Sequence, residues 1–310
     1  MRSSKNLNKQ RERRAESGAP AAIARARGNE FSVLEEEAAP ALGGALVRLS
    51  VPDGMHIEEA VATLHERAPD LLVTPNHIYH GAQASFTQSG VSARSHAPRA
   101  TGVLGMIDTG VDLSMIDAPQ AVLGQHAFAG AQTVGRQHGS TVAALAIAHG
   151  MRVQVADVFA NGSDGSLVAS SASIAAALSW MIDNRIPVIN ISIEGPNNAL
   201  LGELVRRAAE RGHVIVAAAG NGGPLARPAF PAAFDGSIAV TAIDAAGHPY
   251  RHANRGEYIA FAAPGVDIDV TSGGHVIHVV MGRAAGRTML RLETPTGTPA
   301  TYVGCAATVN

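Results

Sequence analysis

The chain has 310 residues, of which 46% are hydrophobic, and its formal net charge at pH 7 is −2. This near-neutral balance argues against a nucleic-acid-binding protein, and no apolar run approaches the roughly 18 residues of a membrane span. The single cysteine, Cys305, excludes an internal disulfide. The length allows one large domain and a small one.

Residues 1–30 are rich in Lys and Arg and offer few side chains to bury. This composition predicts a basic tail that is disordered or loosely helical. The tail also lacks the apolar segment of a signal peptide, so the sequence leaves the compartment of the protein open.

Residues 31–81 predict a small separate unit. Within it, Ala45–Val51 alternates like a half-buried strand, Ile57–Arg67 has helical spacing, and Leu71–Thr74 predicts a second strand. A β-α-β unit of this size gains stability by packing on a partner surface. Residues 82–100 are rich in Ser, Ala, Gly and Gln and predict an exposed linker, where proteolysis concentrates.

From Thr101 onward, apolar strands alternate with helical stretches, which predicts a parallel α/β sheet with helices on both faces. The predicted strands are 103–107, 153–159, 187–193, a strand from His213 and 236–243, and the predicted helices are 138–149, 170–184 and 200–211.

Asn221 lies in a glycine-rich turn that follows the strand from His213. In parallel α/β sheets the chemistry lies just past the carboxyl ends of the strands, where an Asn amide can donate to a developing oxyanion. The alternative is a plain strand-end turn, in which Asn tolerates a positive φ.

Asp108 and His138 are the next candidates. Asp108 ends an apolar strand, where a carboxylate can orient an imidazole, although Asp is also a common helix cap. His138 opens a predicted helix and can reach a neighbouring strand end as a base, but a structural histidine is an equal alternative. A third motif, Glu194-Gly195-Pro196, ends a strand and leaves an edge on which an extended peptide can pair; a core strand with a turn is the alternative.

In chain order these residues give Asp, then His, then a peptide edge and an oxyanion donor, and the Asp-before-His order is that of subtilisin. Residues 103–274 resemble the subtilisin-like serine proteases. The matching segments are MIDTGVD, HGSTVAALAIAHG, PVINISIEGPNNALL, HVIVAAAGNGGP, RPAFPAAFDGSIAVTAID and AAPGVDID.

The resemblance implies that Asp108 orients the imidazole, His138 is the general base and Asn221 is the oxyanion donor. It implies two edges for a polypeptide substrate, formed by Ser192, Ile193, Glu194, Gly195, Ala218, Ala219 and Gly220. It further implies that residues 31–81, which end in VTPNHIY, are an inhibitory prodomain, that residues 82–100 hold the maturation site and that residues 101–280 are the catalytic domain. No residue pattern specifies a metal or a cofactor.

No residue matches the family's nucleophile, a serine in a Gly-Thr-Ser motif. Ser237 begins a predicted strand, Ser272 precedes the expected position, and Gly297-Thr298 is followed by Pro299 instead of Ser. Cys305 is a lone cysteine, which is more often a small buried residue than a nucleophile.

Residues 281–310 do not resemble the family, and a frameshift near Met281 is one hypothesis for this aberrant tail. The sequence therefore predicts a serine endopeptidase whose activity is impaired. The alternative is a catalytically inactive relative that at most binds peptides. A nucleotide-binding protein is disfavoured because no strand leads into a G-x-G-x-x-G or phosphate-loop pattern.

Overall fold

The computed structural model describes residues 21–82, 102–130, 137–162, 164–244 and 246–265, together with the backbone of residues 278–284 and 287–293. Residues 1–20 of the predicted tail, residues 83–100 of the predicted linker, and Ser272 and Cys305 lie outside the described residues.

The described elements follow the chain in this order. The helices are α1 (21–27), α2 (Ile57–Arg67), α3 (Gln137–Ala148), α4 (Ser171–Asp183) and α5 (Ala199–Glu210). The strands are β1 (Val33–Ala39), β2 (Gly44–Leu49), β3 (Ile78–Gly81), β4 (Gly102–Asp108), β5 (Val122–Ala127), β6 (Met151–Asp157), β7 (Phe159–Asn161), β8 (Leu167–Ser170), β9 (Val188–Ile191), β10 (Ile193–Glu194), β11 (Val214–Ala218), β12 (Ser237–Ile243), β13 (Ile259–Pro264), β14 (His278–Ala284) and β15 (Arg287–Glu293).

The main sheet has seven strands in the order β13-β12-β11-β9-β4-β6-β5, and every neighbouring pair is parallel. Its central strands β4, β9 and β11 are largely apolar because both faces of the sheet are covered there. In β4, Met106 packs with residues of α3 and β6 on one face, while Ile107 packs with α4 and α5 on the other. The predicted parallel α/β fold with helices on both faces is therefore confirmed.

The N-terminal unit comprises α1, the antiparallel hairpin β1–β2, α2, and the segment that runs from α2 through β3 to Ala82. Residues 21–27 of the predicted tail form α1, which is the helical alternative of that prediction. Ala26 packs in a small core with Phe31, Ala60 and Leu64, and α2 supplies the apolar stripe that this helix covers. The alanines of α1 are small and lie among arginines, so the sequence shows little hydrophobic periodicity there. Packing against α2 stabilises this helix instead.

The predicted strand at Leu71–Thr74 is wrong. These residues have no strand pairing, and the chain pairs later, at β3. β3 joins a four-stranded sheet in the order β10-β3-β8-β7. The strand forms at β3 because its hydrogen-bonding partners, β8 and β10, belong to the large domain. The local sequence alone does not predict such long-range pairing.

The segment between α2 and β3 forms hydrogen bonds at the N-terminal ends of two helices of the large domain. Asn76 Oδ1 accepts the Ala172 N–H at 2.9 Å in the first turn of α4. Asn198, at the start of α5, donates from Nδ2 to Thr74 Oγ1 at 2.7 Å. The small unit therefore docks through the polar ends of these helices as well as through apolar side chains. Among the described helices, none combines the length and apolar character that crossing a bilayer requires.

Candidate active site

The predicted site residues gather at one edge of the main sheet. Asp108 ends β4, Ser192 follows β9 and Asn221 follows β11, and these three strands are neighbours in the sheet. The carboxyl ends of parallel strands share one edge, so the three residues come from adjacent positions there. His138 reaches the same edge from the first turn of α3.

Asp108 and His138 form a buried pair. The Nδ1 atom of His138 lies 2.7 Å from Oδ1 of Asp108, and their side chains are 13% and 0% exposed. The Thr109 backbone N–H also donates to Asp108 Oδ1, at 2.7 Å. The carboxylate thus fixes the orientation of the ring, with Nδ1 toward Asp108 and Nε2 on the opposite side of the imidazole.

The environment of His138 favours its protonated form. Burial alone lowers the pKa of His138, but the charge of Asp108, its hydrogen bond and a hydrogen bond to the backbone of Ala82 together raise the pKa above the ordinary value of 6.5.

The absence of a side chain at Gly139 allows α3 to approach β4 this closely. A Cβ on Gly139 would meet the Thr109 carbonyl oxygen and lie 2.7 Å from Thr109 Oγ1. The Gly139 N–H instead donates to that hydroxyl at 3.0 Å. Neither Thr109 nor Gly139 was singled out as a site residue from the sequence, although both lie inside the Asp-Thr-Gly and His-Gly-Ser motifs.

An extended segment of the N-terminal unit occupies the edge formed by Ser192, Ile193, Glu194 and Gly195. β3 pairs antiparallel with β10, with Gly81 opposite Ile193 and His80 opposite Glu194. The Ala82 N–H donates to the Ser192 carbonyl at 3.0 Å. The backbone hydrogen bond between His138 and Ala82 raises the pKa of the ring, so the Ala82 group involved is an acceptor, its carbonyl.

Tyr79 anchors this segment. Its side chain is fully buried, and its hydroxyl donates to the Pro196 carbonyl at 2.6 Å. The ring packs directly on the Cα of Gly195, where a Cβ would clash with it. This burial raises the pKa of Tyr79. Occupation of the edge by Tyr79 and Ala82 did not follow from sequence patterns; the only signal was the VTPNHIY ending.

The second predicted edge, Ala218 to Gly220, forms hydrogen bonds with other residues of the large domain. The Ala219 carbonyl accepts the Tyr258 hydroxyl at 2.7 Å, and the Gly220 carbonyl accepts the Asn254 N–H at 3.0 Å. Ala218 pairs in register with Val240 of β12. The backbone hydrogen bonds that the structure describes for the segment Ile78–Ala82 run to Ser192 and its neighbours on the first edge, and to β8.

Asn221 is held by its backbone. Its N–H donates to Glu194 Oε2 at 2.7 Å, which ties the glycine-rich turn to β10. Gly220, just before it, has a φ of +101°, a backbone conformation that favours glycine. This turn therefore places the Asn221 side chain past the end of β11, on the sheet edge that also carries Asp108.

Ser237 begins β12, and β12 runs parallel to β11. The first residue of a strand lies at the opposite end of a parallel sheet from the carboxyl-terminal edge, so Ser237 is remote from His138. Across the part of the chain that the structure describes, no group of three or more His, Cys, Asp or Glu side chains is arranged to hold a metal ion.

Comparisons with known proteins point in one direction. A sequence model described as the subtilase family matches residues 101–301, a range that includes residues 281–301 of the tail that was predicted not to resemble the family. Subtilisin E from Bacillus subtilis is 29% identical over 255 residues, covering 71% of this chain and 65% of that protein. A thermostable alkaline protease from Halalkalibacterium halodurans is 31% identical over 185 residues, covering 56% of this chain and 50% of that protein.

Among solved structures, fervidolysin from Fervidobacterium pennivorans, described as a keratinolytic enzyme related to subtilisin, superposes with a TM-score of 0.59. The overlap covers 91% of this chain and 50% of that chain at 16% sequence identity, and this likeness bears on the fold. The chain spans 65% of the length of the Bacillus subtilis relative.

Proposed function

Because the chain belongs to the subtilase family, we propose that it is a serine-type endopeptidase, which hydrolyses peptide bonds through an acyl-enzyme. The observation that carries this proposal is the buried Asp108–His138 pair in contact with an extended peptide segment. His138 contacts the Ala82 carbonyl, and the Ala82 N–H is bound to Ser192. A base beside the carbonyl of a bound, extended chain is the arrangement that acyl transfer requires.

In this mechanism, Asp108 holds the imidazole in one tautomer and stabilises its cation. The acyl-enzyme forms on a serine hydroxyl, which no Gly-Thr-Ser motif of this chain identifies. His138 would take the proton from that hydroxyl as it attacks and later give it to the leaving amine. Asn221 donates from its side-chain amide to the oxyanion of the tetrahedral intermediate, a contact that is typically worth about 10²–10³ in kcat. Substrate backbone pairs with Ser192, Ile193, Glu194 and Gly195 as β3 does, and Ala218, Ala219 and Gly220 bound the cleft on the other side.

The segment that ends at Ala82 is the chain's own inhibitor in this proposal. It fills the peptide edge in a substrate-like direction, with its last described carbonyl at His138. The bond from Ala82 to Gln83 is then the one presented for maturation, at the start of the predicted linker 82–100. Residues 31–81 serve as the inhibitory prodomain, and no cofactor or metal takes part.

We further infer that turnover is low, because no serine of this chain stands in a Gly-Thr-Ser motif. In subtilisin itself, loss of the nucleophile lowers kcat by about 2 × 10⁶, a measured property of that enzyme. The second candidate function rests on the same observation: a peptide-binding relative without catalysis, which would use the edge that β3 occupies.

Covalent labelling separates the two candidates. The purified full chain is treated with a fluorophosphonate probe, which reacts with an activated serine hydroxyl, and the adduct is located by peptide mass spectrometry. The endopeptidase proposal predicts a single adduct, formed slowly and lost in His138→Ala. Absence of any adduct, in a chain that folds and binds an Ile-Tyr-His-Gly-Ala peptide after the inhibitory segment is removed, favours the peptide-binding candidate.

A further inference from the structure

The side chain of Glu194 crosses the cleft between the two predicted edges. Glu194 belongs to β10, on the first edge, yet its Oε2 accepts the backbone N–H of Asn221 at 2.7 Å, past the end of the second edge. The same oxygen lies 2.6 Å from the position that a Cβ on Gly220 would take. The carboxylate is therefore seated directly against the glycine-rich turn.

Strand geometry places Glu194 and Ala82 on the same side of the two-stranded ribbon. In an antiparallel pair, residues opposite each other point to the same face, and faces alternate along each strand. His80 is opposite Glu194 and Gly81 is opposite Ile193. Ala82, two residues after His80, thus shares its face with Glu194, at the diagonal position that long side chains can reach.

The space beyond Ala82 is consequently limited by Glu194. A longer side chain at position 82 would extend toward the slot between β10 and the turn at Gly220, which the carboxylate spans. To enter, it would have to displace Glu194 and break its charge-assisted bond to the Asn221 N–H. Hydrogen bonds of this kind are stronger than neutral ones, so the displacement would be unfavourable.

We propose that Glu194 is a specificity-determining residue, which restricts the substrate residue just before the scissile bond to small side chains such as Ala, Gly or Ser. This inference rests on the proposed function, since it assigns Ala82 to the position before the cleaved bond. It differs from a charge-selective role, in which the carboxylate would attract a Lys or Arg at that position.

The first test does not depend on catalysis. Full-length chain with Asp108→Asn, which keeps the chain uncut, is compared with and without Ala82→Phe by hydrogen exchange of the amides from Ile78 to Ala82. With Glu194 present, Ala82→Phe is expected to lower their protection by about tenfold or more, the equivalent of one lost hydrogen bond to a charged group. Adding Glu194→Gly is expected to restore most of the protection.

Two matched variants separate size from charge. Glu194→Gln keeps the length of the side chain, so Ala82→Phe should still lower protection in its presence. Ala82→Ser should be tolerated in every background. Protection of β4 amides reports whether each variant is folded, so that a misfolded variant is not mistaken for a specificity effect.

Two results of the exchange experiment would overturn the proposal. The first is that Ala82→Phe leaves hydrogen-exchange protection unchanged when Glu194 is present. The second is that Ala82→Lys raises protection and Glu194→Gln cancels that gain.

A second experiment measures kcat/KM on Ile-Tyr-His-Gly-Xaa peptides with Xaa as Ala, Phe or Lys. Glu194→Gly should reduce the ratio of kcat/KM for the Ala peptide to that for the Phe peptide by about tenfold. Failure of every peptide to be cleaved would reject the endopeptidase function, while the exchange result would still judge Glu194.

Discussion

Asp108 is the residue on which the site depends most directly. It is fully buried and uses one oxygen for both His138 and Thr109. Its other oxygen, Oδ2, has no hydrogen-bond partner among the described residues. A buried carboxylate with one unbonded oxygen is costly unless an opposite charge compensates it, and Asp108 accordingly favours protonation of the neighbouring His138 ring.

Replacing Asp108 by Asn should therefore lower the pKa of His138, because burial then acts with little opposition. In the folded wild-type chain this pKa is raised above 6.5, so the pair's contribution to the free energy of unfolding is full below pH 6.5 and is lost as the pH rises through the folded-state pKa. An NMR titration of the His138 ring checks the pKa, and urea unfolding across pH checks the stability. An unchanged pKa in Asp108→Asn would contradict this account of the site.

A second prediction for a single residue concerns Gly139. Gly139→Ala forces the first turn of α3 away from Thr109, since the new Cβ would lie 3.0 Å from the Gly110 carbonyl and closer to Thr109. Misplacement of a catalytic group by about 1 Å lowers kcat by about 10²-fold, with little change in KM. Gly102→Ala is the matched control, because its Cβ would make only an ordinary contact, 3.4 Å from Met151 Cε. Equal kcat values for the two variants would count against the positioning role.

At the scale of elements, Asn198 connects α5 to the N-terminal unit. Its Oδ1 accepts the N–H groups of Leu200 and Leu201 and caps the helix, while its Nδ2 donates to Thr74 Oγ1 and to the Pro75 carbonyl. One buried side chain thus performs two separable tasks, because the acceptor and the donor sit on different atoms of the amide.

Asn198→Ala should lose both tasks and lower the free energy of unfolding by about 2 kcal/mol, the upper range for a lost cap. Asn198→Asp keeps the capping oxygen and removes the donor. It should leave α5 intact while hydrogen exchange accelerates in residues 74–77. Circular dichroism and peptide-level exchange distinguish the two variants. Loss of helix in Asn198→Asp would show that the cap needs the amide donor.

The elements also show how far sequence patterns reach. The helical spacing of Ile57–Arg67 predicts α2 exactly as observed, and α5 is predicted within one residue at each end, because each has an apolar stripe of its own. β1 was missed since its exposed Glu35–Glu37 run does not alternate. β5 was missed because Gly124 and Gln125 interrupt its apolar run, and pairing with β6 alone specifies it.

The features of the site also divide into those that sequence motifs predict and those that they do not. Asp108, His138 and Asn221 were predicted because short motifs fix them at strand and helix ends. The occupation of the edge by Tyr79 and the crossing of the cleft by Glu194 were not, because both depend on tertiary contacts.

At the scale of the whole molecule, the N-terminal unit contributes side chains to the core of the large domain, in addition to its own small core. Ala41 and Tyr79 belong to the same buried cluster as residues of α4, α5 and the main sheet. Arg207 of α5 also donates to the Leu42 carbonyl at 2.7 Å. The small unit therefore gains much of its stability from the large domain, as its size leads one to expect, and it delivers Ala82 to His138 as part of the same packed assembly.

The role of His138 in peptide cleavage can be tested by following the intact mass of the full chain during incubation at pH 8, beside His138→Ala. Slow cleavage of the bond after Ala82 is expected, which yields a fragment that ends at that residue, and no such cleavage is expected in His138→Ala. Cleavage at the same rate in both chains, or no cleavage of a folded wild-type chain, would contradict the claim that His138 is the base of a peptide-cleaving site.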